Sequence, residues 1–281
     1  MNKIIEKFQL SESVYQLKVE APLIATERKP GQFILLLLSE NGERIPLTIS
    51  DADPLEGHIT LIFQAVGKTT HLLANMNEGD FIANLVGPLG TPTHIENFGS
   101  VVCVGGGIGA APLYPIVQGL KNAGNKISVI LGARNKELLI LENKMKASSD
   151  ELIVCTDDGS YGRKCLVTEP LKELCEQNNK PDLVVAIGPP IMMKFCSETT
   201  RPFNVSTVVS LNTIMIDGTG MCGGCRVTVG NKTKFVCVDG PEFDGHLVDF
   251  DNMMIRLRAY KKREDSDHHQ CHINLKIEDK D

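Results

Sequence analysis

The chain has 281 residues, enough to bury two cores and carry a small extra module. Its formal net charge is -6 and Lys261-Lys262-Arg263 is its one basic block, a balance that argues against a nucleic-acid partner. No apolar stretch approaches the roughly 20 residues that span a bilayer, and Met1-Asn2-Lys3 leads into a strand-like pattern rather than a signal sequence, so no membrane partner is expected and the chain is assigned to the cytoplasm.

Residues 1–98 read as an all-β unit. Short alternating or apolar runs (Val14 to Val19, Gln32 to Leu38, His58 to Phe63, Phe81 to Leu85) are broken by the turn signals Lys29-Pro30-Gly31, Asn41-Gly42 and Glu78-Gly79-Asp80, a spacing that suggests a small barrel. Residues 99–208 change rhythm. Apolar strands at Val101 to Val104, Ile127 to Leu131, Leu152 to Cys155 and Leu183 to Ile187 alternate with helical segments such as Leu113 to Asn122 and Val167 to Gln177, the pattern of a parallel α/β sheet. Residues 209–250 form a glycine-rich segment with strand candidates Arg226 to Val229 and Lys234 to Val238; it is too small for its own core and is expected to lean on a metal centre. Residues 251–281 read as a helix, Phe250 to Tyr260, and a charged tail with the tract His268-His269-Gln270-Cys271-His272, which at a terminus is more often solvated than metal-bound.

Two of these segments carry chemistry by spacing alone. The strand Val101 to Val104 runs into Gly105-Gly106-Gly107-Ile108-Gly109-Ala110-Ala111-Pro112, a turn whose bare backbone can approach a pyrophosphate at the start of a helix. The acidic residue expected about twenty positions further on in a dinucleotide fold is missing, and Gly132-Ala133-Arg134 ends the next strand instead. In the C-terminal segment, Asp217, Cys222 and Cys225, with Cys237 twelve residues beyond, follow the plant-type [2Fe-2S] spacing with a carboxylate in the first ligand place. Zinc is the competing metal, but no second knuckle is present; unrelated thiols beside a glycine turn are the remaining reading. Of the nine Cys, Cys103 and Cys155 lie in apolar runs and read as packing residues, while Cys165, Cys175, Cys196 and Cys271 show no pairing pattern, as suits a reducing compartment.

In the barrel unit, Arg44-Ile45-Pro46-Leu47-Thr48-Ile49-Ser50 and Gly67-Lys68-Thr69-Thr70 offer phosphate partners, although an exposed strand Arg and a helix cap explain them equally well. Taken in order with Gly87-Pro88-Leu89-Gly90, the triple-glycine turn, Gly188-Pro189-Pro190-Ile191-Met192-Met193 and the cysteine set, these motifs resemble the ferredoxin reductase superfamily over residues 1 to about 260. Within it the chain is similar to flavin subunits with a C-terminal [2Fe-2S] module, and most similar to the small (alpha) subunits of NADH-dependent ferredoxin:NADP oxidoreductases, also called sulfide dehydrogenases. The aspartate in the ligand set and the run Val238-Asp239-Gly240-Pro241-Glu242-Phe243-Asp244-Gly245-His246 favour that family over the electron-transfer subunit of dihydroorotate dehydrogenase, which typically has four cysteines.

The resemblance implies an N-terminal antiparallel FAD-binding β-barrel, a parallel α/β pyridine-nucleotide domain and a small [2Fe-2S] module. It implies that Arg44, Pro46, Leu47, Thr48, Gly67, Thr69 and Thr70 hold FAD, with Thr48 near the flavin. Gly107, Ile108, Gly109, Arg134, Asp157, Asp158, Gly159 and Gly188 would line the NAD(H) site, and Asp217, Cys222, Cys225 and Cys237 would bind the cluster. Two departures stand out: the flavin motif lacks the aromatic of Arg-x-Tyr-Ser/Thr, and Ile187 stands where many relatives have Cys. The expected function is an NAD(P)H-dependent oxidoreductase subunit passing electrons between NAD(H), FAD and the cluster to a larger flavin iron-sulfur subunit that reduces NADP and exchanges with ferredoxin by electron bifurcation. The alternatives are the dihydroorotate dehydrogenase electron-transfer subunit and, in a different class, a non-redox nucleotide-binding regulatory module with zinc.

Overall fold

The computed structural model describes residues 1–40 and 42–260; the charged tail with its His268 to His272 tract lies outside the described residues, as does Asn41 of the expected Asn-Gly turn. The first unit runs β1 (Asn2–Ser11), β2 (Val14–Glu20), α1 (Pro22–Glu27), β3 (Phe33–Leu37), β4 (Arg44–Asp53), β5 (His58–Gln64), α2 (Lys68–Asn75), β6 (Phe81–Ile82) and β7 (Asn84–Leu89). Its antiparallel sheet has the order β6-β1-β2-β5-β4-β3-β7. The run expected as one strand from Phe81 to Leu85 is two, because β6 pairs with β1 at one end of the sheet and β7 with β3 at the other. That short step between opposite edges curls the sheet into a nearly closed barrel. Ile4, Leu17, Ile34, Leu36, Ile49 and Leu61 fill it.

The second unit contains β8 (Ser100–Gly106), α3 (Ala110–Asn122), β9 (Lys126–Ala133), α4 (Glu142–Ser148), β10 (Glu151–Thr156), β11 (Arg163–Lys164), α5 (Thr168–Cys175), β12 (Leu183–Ile187), α6 (Pro190–Thr200) and β13 (Ser206–Ser210). The C-terminal segment adds β14 (Arg226–Val229), β15 (Lys232–Phe235), the helical turn α7 (Val236–Asp239), β16 (Glu242–Asp244) and α8 (Phe250–Leu257). The second sheet has the order β11-β10-β9-β8-β12-β13-β16, parallel throughout except for β16, which pairs antiparallel with β13. The chain proceeds from β8 outward to β9 and β10, then returns to the other flank at β12. The crevice beyond the C-terminal ends of β8 and β12 is therefore the topological switch point, where open α/β sheets bind ligands. Between Glu242 and Asp244 the C-terminal segment lends its own strand to this sheet.

One local expectation needs correction. The strand placed at Lys234 to Val238 ends at Phe235, and Cys237 sits on the turn α7. Asp239 causes the reversal: its Oδ2 accepts the Phe235 N–H at 2.7 Å, folding the chain back and turning Cys237 inward.

β3 explains how the units join. It is apolar on both faces because both are covered: Ile34 and Leu36 point into the barrel, while Phe33 and Leu35 join the core shared by the second unit and the C-terminal segment. Val14 and Ile62 of the barrel pack with α3 in the same way.

Candidate functional site

Strand β4 alternates as a half-buried strand should. Ile45 and Leu47 pack toward the barrel core, which leaves Arg44, Pro46 and Thr48 on the opposite face. Leu47 thus lies on the core side, and of the flavin motif it is Arg44, Pro46 and Thr48 that present side chains outward. Arg44 is exposed and has no carboxylate within ion-pair distance among the described residues. Next on the strand, Ser50 is 1 % exposed and its Oγ has no hydrogen-bond partner among the described residues. Such a group is costly unless something else satisfies it, so it marks a place where a ligand polar atom fits. In the sequence Ser50 is only the last residue of the motif with no role of its own, because its burial is a tertiary fact.

At the other end of the barrel site, Gly67 is the N-cap of α2. Thr70 Oγ1 accepts the N–H groups of Val66 and Gly67 and donates to the Gly67 carbonyl, while Thr69 Oγ1 donates to Glu43 at 2.9 Å. Both hydroxyls are therefore already committed, that of Thr70 within the turn and that of Thr69 to Glu43 just before β4. What remains for a phosphate is the first-turn backbone N–H groups of Lys68, Thr69 and Thr70, which no described residue accepts.

The nucleotide turn lies at the switch point of the second sheet. Gly107 to Gly109 form a single 3-10 turn before α3. A Cβ on Gly109 would collide with the Ile187 carbonyl oxygen, and one on Gly106 would meet the Met192 sulfur. Gly107, at φ +54°, faces open space. Gly188 closes the other wall, also under Met192, and Ile108 packs on the α3 core. Arg134 directly follows β9 and is exposed; the N–H groups of Asp157 and Asp158 are bonded to the carbonyls of Ala133 and Arg134, so the Asp157-Asp158-Gly159 turn after β10 sits directly beside it. Two acidic residues of the turn after the neighbouring strand β10 thus stand beside the end of β9, where the sequence itself has no acid. Asp158 accepts the Ser160 N–H, and these Ser160 contacts hold its carboxyl below the usual range.

The cluster turn is built around Asp217. Its Oδ1 accepts the Thr219 N–H at 2.9 Å and its Oδ2 the Cys222 N–H at 2.8 Å, and these bonds hold the carboxyl below its ordinary value, the Thr219 bond most. Cys225 and Cys237 are buried with their sulfurs 3.3 Å apart. Burial, then the Cys225 thiol, push the Cys237 thiol up to about 12, with the Gly220 N–H opposing and the Asp217 charge adding to the rise. Cys222 is exposed and its sulfur accepts the Gly224 N–H at 3.4 Å. Two soft sulfurs in contact, a third on the same turn and a carboxylate whose field reaches Cys237 fit an iron-sulfur ligand set. Among the described residues no three such donors converge on one point.

The other thiols behave as core. Cys103 is buried and pushed up to about 12, first by that burial and then by Glu242. Cys155 and Cys165, for which the sequence shows no pairing pattern, have their sulfurs in contact at 3.2 Å.

The three sites meet around the strand pair β3 and β4. Helix α3 of the nucleotide turn packs against β4. On the other side, a Cβ on Gly218 of the cluster turn would lie 2.7 Å from Leu89 Cδ1 and 2.9 Å from Leu35 Cδ1, and Leu35 is the cross-strand partner of Pro46. Only β3 separates the cluster turn from the flavin motif. Leu35 and Leu89 do not stand out in the sequence, because apolar strand residues carry no signal of what they support.

A barrel, a doubly wound nucleotide domain and a cysteine-rich module arranged in this way define a ferredoxin-reductase-type electron-transfer protein. The family model for the iron-sulfur cluster binding domain of dihydroorotate dehydrogenase B matches residues 212–249, and that for the oxidoreductase NAD-binding domain matches residues 103–198. The chain is 50% identical over 264 residues to a dihydroorotate dehydrogenase B (NAD(+)) electron transfer subunit homolog of Thermotoga maritima, covering 94% of this chain and 93% of that one. It is 34% identical to the dihydroorotate dehydrogenase B electron transfer subunit of Desulforamulus reducens, over 86% of this chain and 94% of the relative. A solved structure of an NADH-dependent reduced ferredoxin-NADP oxidoreductase, studied for flavin-based electron bifurcation, superposes with a TM-score of 0.91 at 47% identity, over 96% of this chain and 97% of its own. The chain belongs to the family of dihydroorotate dehydrogenase B electron transfer subunits and their homologues. It is an oxidoreductase subunit with an NAD-binding domain and an iron-sulfur cluster binding domain, and the zinc-bearing regulatory reading is set aside. No helix among the described residues is long and apolar enough to cross a membrane.

Proposed function

We propose that this chain accepts electrons from NADH and delivers them to a larger flavin iron-sulfur subunit that reduces NADP, with ferredoxin exchanging electrons through the complex. The observation that carries the reading is the position of β4 between the nucleotide helix α3 and, across β3, the cluster turn. Nicotinamide moves two electrons together and an iron-sulfur cluster one, and FAD supplies the chemistry that joins them. The chain's residues do the rest. Arg44 and the first-turn N–H groups of α2 would neutralise the FAD phosphates, with Pro46 and Thr48 flanking the flavin; Gly67 lets the chain approach, and Thr69, Thr70 and Leu47 shape the cradle. Gly107 leaves room for the nucleotide pyrophosphate, Ile108, Gly109 and Gly188 form its walls, and Arg134 with Asp157, Asp158 and Gly159 would take the adenosine end. Asp217, Cys222, Cys225 and Cys237 would hold the cluster, and Leu35 and Leu89 keep water out of the space between.

The purified chain is expected to hold about one FAD and, in its [2Fe-2S] cluster, two iron with two labile sulfides. Stoichiometric zinc without sulfide would sink the assignment. Asp217→Cys should still assemble a cluster, with a shifted midpoint potential and altered EPR signature, since a thiolate donates charge differently from a carboxylate. Equal midpoints would leave Asp217 with its turn-capping role alone. A second reading, an electron-transfer subunit serving dihydroorotate oxidation, draws on the names of the relatives; the carboxylate in the ligand set favours the first. Copurification with the native partner decides between them: a large subunit that reduces NADP supports the proposal, a dihydroorotate-oxidising one the alternative.

A further inference from the structure

Helix α8 and the cluster segment enclose a cavity of about 280 Å³ that the sites above do not use. Among the described residues its walls include Thr213, Ile216, Arg226, Met253, Arg256 and Leu257, and no Asp or Glu. The polar groups on it are unusual for a chain of net charge -6. Arg226 Nη1 donates to the Gly223 carbonyl at 3.0 Å and Arg256 Nη2 to that of Gly224 at 3.3 Å. Each guanidinium keeps further donors, and neither has a carboxylate within ion-pair distance among the described residues. Thr213 is 9 % exposed, and its Oγ1 has no hydrogen-bond partner among the described residues. Two cations and an orphaned hydroxyl against apolar walls call for a ligand with a compact negative end and an apolar body. A single water would satisfy Thr213, but it would neutralise neither guanidinium nor fill a space near the small end of ligand pockets.

We propose that this cavity binds a small organic carboxylate. Its oxygens are held by Arg226 and Arg256, one of them accepting the Thr213 hydroxyl, and its hydrocarbon part lies on Ile216, Met253 and Leu257. The same two arginines grip the carbonyls of Gly223 and Gly224, the residues between Cys222 and Cys225. Occupancy therefore places a negative charge beside the cluster turn and should lower the cluster's midpoint potential. That second effect rests on the cluster assignment above; binding itself does not.

The test is calorimetric titration of the cofactor-loaded full chain with butyrate and benzoate, with neutral butyramide as control, followed by redox titration of the cluster with and without benzoate. Saturable binding of one carboxylate per chain is expected, with none for butyramide. Thr213→Val removes a hydroxyl that has no partner among the described residues, so it should melt no lower than wild type yet bind about tenfold more weakly, about 1.4 kcal/mol. Arg226→Gln should weaken binding at least as much. The proposal is overturned by the absence of saturable heat, by equal binding of butyramide, or by unchanged affinity in both variants. If the chain carries no [2Fe-2S] cluster, the midpoint readout is lost while carboxylate binding persists, which separates the two failures.

Discussion

In the nucleotide turn Gly105 to Gly109, glycine is needed chiefly for space; in the cluster turn Gly218 to Gly224, it is needed chiefly for backbone conformation. Gly105, Gly106 and Gly109 have no left-handed torsion, yet a Cβ on Gly106 or Gly109 would strike a neighbour and one on Gly105 would crowd Leu113, and within this turn Gly107 alone combines φ +54° with open surroundings. Gly218, Gly220 and Gly223 all lie at positive φ, between +65° and +81°. The difference follows from what each turn must do. A nucleotide turn lets backbone, helix and neighbouring strand close around a phosphate. A cluster turn must instead aim successive N–H groups inward, as those of Thr219 and Cys222 already aim at Asp217 and that of Gly220 at Cys237.

The largest effect expected from this contrast is at Gly109. Gly109→Val would drive a side chain into the Ile187 carbonyl, which is backbone and cannot move aside, so a loss of roughly 3–5 kcal/mol and failure of the nucleotide domain are expected. Gly107→Ala, in open space, should cost only about 1–2 kcal/mol of left-handed strain and chiefly weaken NADH binding, with FAD retained. Denaturant melts paired with stopped-flow reduction by NADH would read both. Similar melts for the two variants would break the distinction between space and conformation.

Next in size is Gly220→Ala. Its φ of +81° and the Val238 side chain 3.0 Å from the added Cβ predict about 1–2 kcal/mol, concentrated in the cluster segment. The expected readout is loss of labile sulfide with the flavin retained. Full sulfide content in the variant would show that this turn tolerates ordinary residues.

The cysteine spacing, the two glycine turns and the change from alternating to continuous apolar runs are local signals, legible in the amino-acid sequence itself, and each reports its element correctly; the strand Leu183–Ile187 falls where the pattern puts it. What the sequence hides depends on contacts distant along the chain. The split of Phe81 to Leu85 follows from pairing at opposite sheet edges, and the helical turn at Cys237 from one Asp239 side chain. Thr69 and Thr70 look like free donors in sequence, and only the folded turn shows their hydroxyls already committed. That Asp157 and Asp158 lie beside the end of β9 is likewise visible only once β9 and β10 pair side by side.

The smallest effect concerns Glu242, on the strand that returns the cluster segment to the nucleotide sheet. Its Oε1 accepts the Thr93 hydroxyl at 2.5 Å, and Gly31 lies against the pair with no room for a side chain. Burial pushes the carboxyl up to about 7, the Thr93 bond opposing. The folded state therefore keeps a proton that the unfolded chain gives up near its ordinary value of 4.5. Between those values the folded state binds more protons, so this group's contribution to stability falls as pH rises and has been lost above about pH 7. Because the side chain is only half-buried, the effect should be about 1–2 kcal/mol rather than the full value of the shift. Glu242→Gln keeps an acceptor for Thr93 and cannot ionise. It should match wild type at pH 4.5 and exceed it at pH 8 in urea melts, with cluster content unchanged. A parallel pH dependence for both proteins would mean that the junction between the two turns senses no proton, and that the nucleotide sheet and the cluster segment meet there by packing alone.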